Sequence, residues 1–66
     1  MVWDFKHWYT VECSNGTKTT FKWLGIISGT SEMCVEFCDG QIGSFVIPMY
    51  KNIIHHGEQS PCSNQL

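Results

Sequence analysis

The sequence predicts a small all-β fold in which five short strands bend into a barrel. Apolar and polar residues alternate with a period of two over residues 3–13, as expected for a half-buried strand. Asn15-Gly16 and Asp39-Gly40 are the dipeptides that most strongly favour tight β-hairpin turns. Because no stretch of ten or more residues has a helical period, we expect strands throughout.

The first predicted hairpin joins residues 3–13 to residues 18–27. With Asn15-Gly16 as a two-residue loop, Trp8 would lie opposite Trp23. This register leaves apolar side chains on both faces of the hairpin. Either a bulge shifts the register within one strand or a second chain covers the outer face.

The second predicted hairpin joins residues 32–38 to residues 41–47. With Asp39-Gly40 as a two-residue loop, Phe37 would face Ile42 on an apolar side. The hydrophobic pattern and the turn agree on this register.

The residue pattern in the last part of the chain predicts an interruption of the strands, then a short strand and a tail. Residues 48–51 interrupt the pattern after Pro48 and suggest a single helical turn, while residues 52–56 suggest a fifth strand. A chain of 66 residues allows one domain, which we place at residues 1–56. The polar residues 57–66 are expected to be a flexible tail.

Composition and charge narrow the classes of partner. The chain has four lysines, no arginine and a formal net charge of −2, whereas a protein that neutralises phosphates needs clustered cations. Nucleic acid is therefore disfavoured, and spread carboxylates would complement a basic protein partner. No signal peptide or apolar run of membrane-spanning length is visible, which predicts a cytoplasmic protein without a membrane association.

The four cysteines are expected to be mainly reduced structural thiols, because no secretion signal is visible. A disulfide between Cys62 and either Cys34 or Cys38 is one alternative. A zinc site is the other alternative, and its candidate ligands would be Cys34, Cys38, His55 and His56. Adjacent residues on a strand point to opposite faces, so His55 and His56 would not easily serve one site. No cofactor is expected.

Aromatic residues provide the candidate binding site. Nine aromatics in 66 residues exceed what a small core normally needs. Large rigid rings anchor protein interfaces at a low entropic cost. The predicted partner-binding residues, which gather near the first hairpin, are Trp3, Trp8, Tyr9 and Trp23. We expect Trp3 and Trp8 to be the most exposed of them, and the apolar hairpin faces suggest a homo-oligomer.

Three segments together resemble the Sm/Hfq-like family of SH3-like small β-barrels. Residues 11–18 are similar to the family's strand, Asn-Gly turn and next strand, and Leu24-Gly25 followed by residues 33–37 resembles its second and third strands. Residues 50–54 (Tyr-Lys-Asn-Ile-Ile) are similar to the segment before the last strand. The chain differs from the family at Asn52, where the bacterial RNA chaperones of this family have a histidine.

The resemblance implies two alternative binding functions, one toward RNA and one toward a protein. In an RNA-binding ring, Tyr50, Lys51 and Asn52 would contact RNA. Acidic members of the class include an inhibitor of the transcription terminator Rho, which binds a protein instead, and the acidic balance of this chain favours that use.

The sequence thus favours a small, acidic, non-enzymatic interaction module that regulates or inhibits a protein partner. Its size also suits a protein encoded by a phage or another mobile element. No spacing of carboxylates, nucleophile or phosphate-binding glycines indicates a catalytic site. The alternatives are an Sm/Hfq-like RNA-binding ring and a zinc-stabilised binding module.

Overall fold

A computed structural model describes residues 2–47 and 49–62. Five strands form one antiparallel sheet in the order β4-β3-β2-β1-β5. Their bounds are β1 Trp8–Cys13, β2 Lys18–Ile26, β3 Met33–Phe37, β4 Ile42–Phe45 and β5 Tyr50–Gly57. The all-β class and the five strands are confirmed. Within the described ranges there is no helix long and apolar enough to cross a membrane.

The sheet is open at both edges. The edge strands are β4 and β5, and within the described residues no ladder joins one to the other. The predicted closure into a barrel is therefore not seen in this part of the chain. The longer edge strand is β5, with eight residues against four in β4.

The end strands differ in extent from the sequence prediction. In β1 the ladder begins at Trp8, because a turn at Phe5 and Lys6 interrupts the predicted strand. In β5 the strand begins at Tyr50, so the helical turn predicted over residues 48–51 is wrong for its last two residues. Pro48 lies outside the described residues.

The predicted register of the first hairpin is wrong by one residue. Trp8 pairs with Lys22 instead of Trp23, and Tyr9 pairs with Phe21. The loop holds three residues instead of two, with Gly16 at a φ of 93°. A type I turn closed by a left-handed glycine is the usual form of such loops.

This register removes the conflict between the two faces. Tyr9, Val11 and Phe21 share the inner face, while Thr10 and Thr20 pair on the outer face. A hydrogen bond of 2.8 Å joins the two threonine hydroxyls. Apart from the buried Trp8, the side chains that pair on this outer face are polar, and the homo-oligomer stays a prediction.

The second hairpin differs from the prediction in the same way. Glu36 pairs with Ile42, so Phe37 does not face Ile42 as predicted. The N–H of Phe37 donates instead to the carbonyl of Gln41, around a loop that ends at Gly40 with a φ of 89°. The extra loop residue turns Ile42 to the outer face, where it is 59% exposed.

The core lies on one face of the sheet and uses strands β1, β2 and β3. Its buried members are Tyr9, Val11, Cys13, Phe21, Met33 and Val35. Residues from flanking segments and edge strands cover it in part, namely Trp3, Trp23, Phe37, Phe45, Ile47 and Ile53. The core thus depends on the N-terminal segment that carries Trp3 as well as on the sheet.

A disulfide ties the segment after β5 back to the sheet. It joins Cys38, in the β3–β4 turn, to Cys62. Because β1 and β2 lie between β5 and β3, residues 58–61 span a distance of roughly three strand spacings, or about 14 Å. The segment up to Cys62 is therefore anchored at both ends, whereas the sequence predicted a flexible tail from residue 57.

Candidate functional site

Two of the four predicted partner-binding aromatics lie in the interior of the protein. Tyr9 is 1% exposed and belongs to the core, while Trp8 is 7% exposed on the opposite face. The ammonium of Lys22 lies 5.7 Å from the centre of the Trp8 ring, which contributes to covering it. The expectation that Trp8 is among the most exposed aromatics is wrong, because its neighbours on the outer face cover it.

The other two aromatics are half-buried and also pack on the core. Trp3 meets the edge of Tyr9 with ring centroids 4.7 Å apart. Trp23 packs against the same core, and its indole Nε1 is buried without a hydrogen-bond partner among the described residues. Three of the four predicted residues thus come together, but they do so mainly to build the core.

The exposed apolar side chains lie elsewhere. They are found in the N-terminal segment, at the end of β2 and along both edge strands: Val2, Phe5, Ile26, Ile27, Ile42, Val46, Met49, Tyr50 and Ile54. A protein surface always shows some apolar residues, so their grouping matters more than their number. The described residues enclose no pocket.

Among the five strands, the edge strand β5 has the most exposed residues, five of its eight. Tyr50, Lys51 and Asn52 are all exposed, as are Ile54 at 47% and Met49 at 81% just before the strand. A bulge next to Cys13 shifts the register there. The three residues implied for RNA binding by the family resemblance therefore lie side by side on an accessible sheet edge.

Two histidines meet at the other end of β5. The Nδ1 atom of His7 lies 2.8 Å from the Nε2 atom of His55, although the residues are 48 positions apart. Asp4 faces both rings, with its Oδ2 atom 3.7 Å from His7 and 3.8 Å from His55. The strand pairing between Tyr9 and His55 brings these three side chains together.

The next histidine on β5 faces the opposite way. A bulge at the Trp8–Tyr9 step of the β1–β5 ladder leaves His56 as an extra residue. Its Nε2 atom lies 2.7 Å from the hydroxyl of Thr10 on the outer face. His55 and His56 therefore serve different faces, as expected from strand alternation.

The alternative zinc ligands do not form one site. Cys38 is bonded to Cys62, so its sulfur is not a thiolate ligand. Cys34 is a free, half-buried thiol on β3, and the two histidines face opposite sides of β5. Among the described residues, the one group of three potential metal ligands within 4.8 Å of one another is Asp4, His7 and His55.

Sequence reasoning missed Asp4 as a member of a site, and although His7 and His55 were both conceivable zinc ligands, it did not bring the two together. The only local signal is the spacing of three residues between Asp4 and His7, which is common in turns. Their meeting with His55 depends on the pairing of β1 with β5, which no local pattern specifies. A prediction of the complete strand order would have been needed to find the cluster.

Comparisons with known proteins add no relative. A scan against protein-family models found no match, and neither the curated proteins nor the solved structures gave one.

Proposed function

We propose that the protein is a non-enzymatic interaction module whose β5 edge receives an extended segment of a protein partner. The observation that carries this proposal is the eight-residue edge strand with exposed side chains on both of its faces. The module would act as a regulator or inhibitor by occupying its partner.

The backbone of an edge strand supports this mode of binding. One side of β5 pairs with β1, and in the part of the chain that the structure describes its other side has no neighbouring strand. The outward N–H and C=O groups can therefore pair with an added strand, while side-chain contacts give specificity. Protein interfaces of this kind gain affinity from the ladder hydrogen bonds.

The side chains of β5 supply apolar anchors. Ile54 pairs with Thr10 on the outer face and is about half exposed, while Tyr50 is 51% exposed at the other end of the strand. Tyrosine offers a large rigid surface with one polar end, which suits an interface. The anchors thus differ from the tryptophans that the sequence indicated, because those pack on or beside the core.

The disulfide indicates in which compartment the module would act. Disulfides persist in oxidising compartments and are rare in the cytosol, so the Cys38–Cys62 bond favours an oxidising setting over the expected cytoplasm. Mass spectrometry of the protein from cells, after trapping free thiols with an alkylating reagent, tests this point. Two alkylated and two disulfide-bonded cysteines would support an oxidising compartment, whereas four alkylated cysteines would contradict it.

RNA binding is the second candidate, because Tyr50, Lys51 and Asn52 are exposed together on the same edge. Aromatic stacking and a cation are the elements of single-strand recognition. The formal net charge of −2 opposes it, since phosphate neutralisation supplies most of the affinity for nucleic acids. The protein-binding proposal is therefore preferred.

Matched substitutions on the two edges test the proposal. A displayed library of random peptides is selected on the oxidised protein, and the affinity of the selected peptide is measured by fluorescence anisotropy. Ile54→Lys should weaken binding more than about tenfold, because a charge replaces a buried apolar contact. Ile42→Lys, at an isoleucine on β4 that is 59% exposed against 47% for Ile54, should leave the affinity unchanged.

Three results would contradict the proposal. The library could yield no binder, Ile42→Lys could remove binding while Ile54→Lys does not, or labelled single-stranded RNA could bind more tightly than any peptide at physiological salt. The last result, with a loss on Lys51→Ala, would favour the RNA-binding candidate instead.

A further inference from the structure

The cluster of Asp4, His7 and His55 has the dimensions of a metal site. The three atoms that face one another are the carboxylate Oδ2, the Nδ1 of His7 and the Nε2 of His55, at separations of 2.8, 3.7 and 3.8 Å. A point equidistant from the three atoms lies about 2.0 Å from each, which matches the Zn–N and Zn–O distances of proteins.

We propose that Asp4, His7 and His55 bind a divalent first-row transition-metal ion, with Zn²⁺ as the representative ion. Two imidazoles and one carboxylate are a ligand set that zinc and its neighbours accept, with a further position left for water or a partner group. Binding replaces the hydrogen bond between the two imidazoles with two nitrogen–metal bonds. The proton of that hydrogen bond moves to the other nitrogen of the same ring, so that His7 Nδ1 and His55 Nε2 each direct a lone pair at the ion.

A buried tyrosine holds two of the three ligands in place. The ring of Tyr9 stacks on His55 with centroids 4.8 Å apart, and its hydroxyl accepts a 2.7 Å hydrogen bond from the backbone N–H of Asp4. Because Tyr9 is only 1% exposed, it is a fixed support. Such support lowers the entropic cost of assembling a ligand set.

The backbone that positions the third ligand is strained. Lys6, directly before His7, has a φ of 63° and is the sole non-glycine residue with positive φ in the described ranges. Its N–H donates to the carbonyl of Trp23, and the N–H of Trp23 donates to the carbonyl of His7. These bonds hold a turn that costs energy, and turns of this type gather at functional sites.

A second carboxylate completes the surroundings of His7. The Oε2 atom of Glu58 lies 3.8 Å from the Nε2 atom of His7, the ring nitrogen that does not face the cluster. A metal-binding histidine usually directs its other N–H to a carboxylate, which orients the ring and makes it a better ligand. Glu58, whose side chain is 85% exposed, lies beyond hydrogen-bond distance and would orient the ring only after moving closer to His7.

Titration of the oxidised full chain with Zn²⁺ alone tests the proposal. Calorimetry should show one ion per chain, and NMR should show the largest shifts at His7 and His55. Both His7→Ala and His55→Ala should weaken binding more than about 100-fold, because each removes a ligand. Glu58→Gln should weaken it by about tenfold through the orientation of His7.

Two control variants separate the site from other zinc ligands, and a third variant tests a ligand outside the core. His56→Ala removes a neighbouring imidazole that faces Thr10, and Cys34→Ser removes a free thiol, so both should bind Zn²⁺ as the unaltered protein does. Asp4→Asn changes a half-exposed side chain that does not form the core, so it keeps the test valid if a histidine variant fails to fold.

The proposal fails if no stoichiometric Zn²⁺ binding occurs, or if His56→Ala or Cys34→Ser lowers affinity as much as His55→Ala does. It also fails if Asp4→Asn folds and binds Zn²⁺ unchanged. These readouts do not depend on a protein partner, so they are independent of the proposed β5 interaction.

Discussion

Cys38 and Cys62 form a disulfide that fastens the chain beyond β5 to the turn between β3 and β4. The two strands involved are not neighbours, because β1 and β2 separate them. The bond therefore links one edge strand of the open sheet to the opposite half. Small domains with limited cores often rely on such covalent links.

Loss of the disulfide should destabilise the protein by about 3 kcal/mol, because the bond closes a loop with a sequence separation of 24. Urea unfolding of Cys62→Ser against the oxidised protein measures this difference. Cys34→Ser, which changes a free thiol, should have a much smaller effect. If a reductant leaves the unfolding midpoint of the unaltered protein unchanged, the prediction is wrong.

Gly40→Ala should destabilise the protein by about 1–2 kcal/mol, because an alanine at a φ of 89° is strained. No atom lies within 4 Å of the added Cβ, so backbone conformation is the only cost. Gly40→Asn should lose less, since asparagine tolerates the left-handed region better. Thermal and urea unfolding of both variants provide the comparison, and equal losses would argue against backbone strain as the cause.

Lys6→Gly should stabilise the protein by about 0.5 kcal/mol. The relief of a φ of 63° at a non-glycine residue outweighs the extra entropy of glycine in the unfolded chain. Lys18→Gly, at an exposed strand position with an ordinary φ, should instead destabilise it. The two variants are compared by urea unfolding, and a loss of stability in Lys6→Gly would show that the turn is not strained.

Tyr9→Phe should destabilise the protein by about 1 kcal/mol, because the backbone N–H of Asp4 loses its hydrogen-bond acceptor. The ring itself remains in the core, so the fold should be kept. Tyr50→Phe, at an exposed tyrosine, is the matched control and should stay within about 0.5 kcal/mol of the unaltered protein. An equal effect of both substitutions on the unfolding free energy would exclude a special role for the Tyr9 hydroxyl.

Much of the fold could be predicted from local patterns. Alternating residues located the strands, and the two glycine turns located both hairpins, because these signals act over a few residues. The register was missed twice for one reason. Asn15 and Asp39 each accept a hydrogen bond from the N–H two residues ahead, within three-residue loops that the dipeptides alone do not distinguish from two-residue loops.

Less of the candidate site could be predicted. The exposed β5 residues Tyr50, Lys51 and Asn52 were identified through the family resemblance, and the structure places all three at an accessible edge. The binding role of Trp8 and Tyr9 was inferred from the number of aromatics, which says nothing about burial. The observed register differs from the predicted one by one residue. It buries Tyr9 in the core and places Trp8 beneath Lys22.

The sequence by itself determined the all-β class, the number of strands and the places where the chain turns. Tertiary structure alone decided the order of the strands, the meeting of His7 with His55 and the choice of Cys38 as the partner of Cys62. The physical reason is the range of the forces involved. Turn chemistry and side-chain alternation act between near neighbours, whereas contacts across 24 or 48 positions form only when the whole sheet packs around its core.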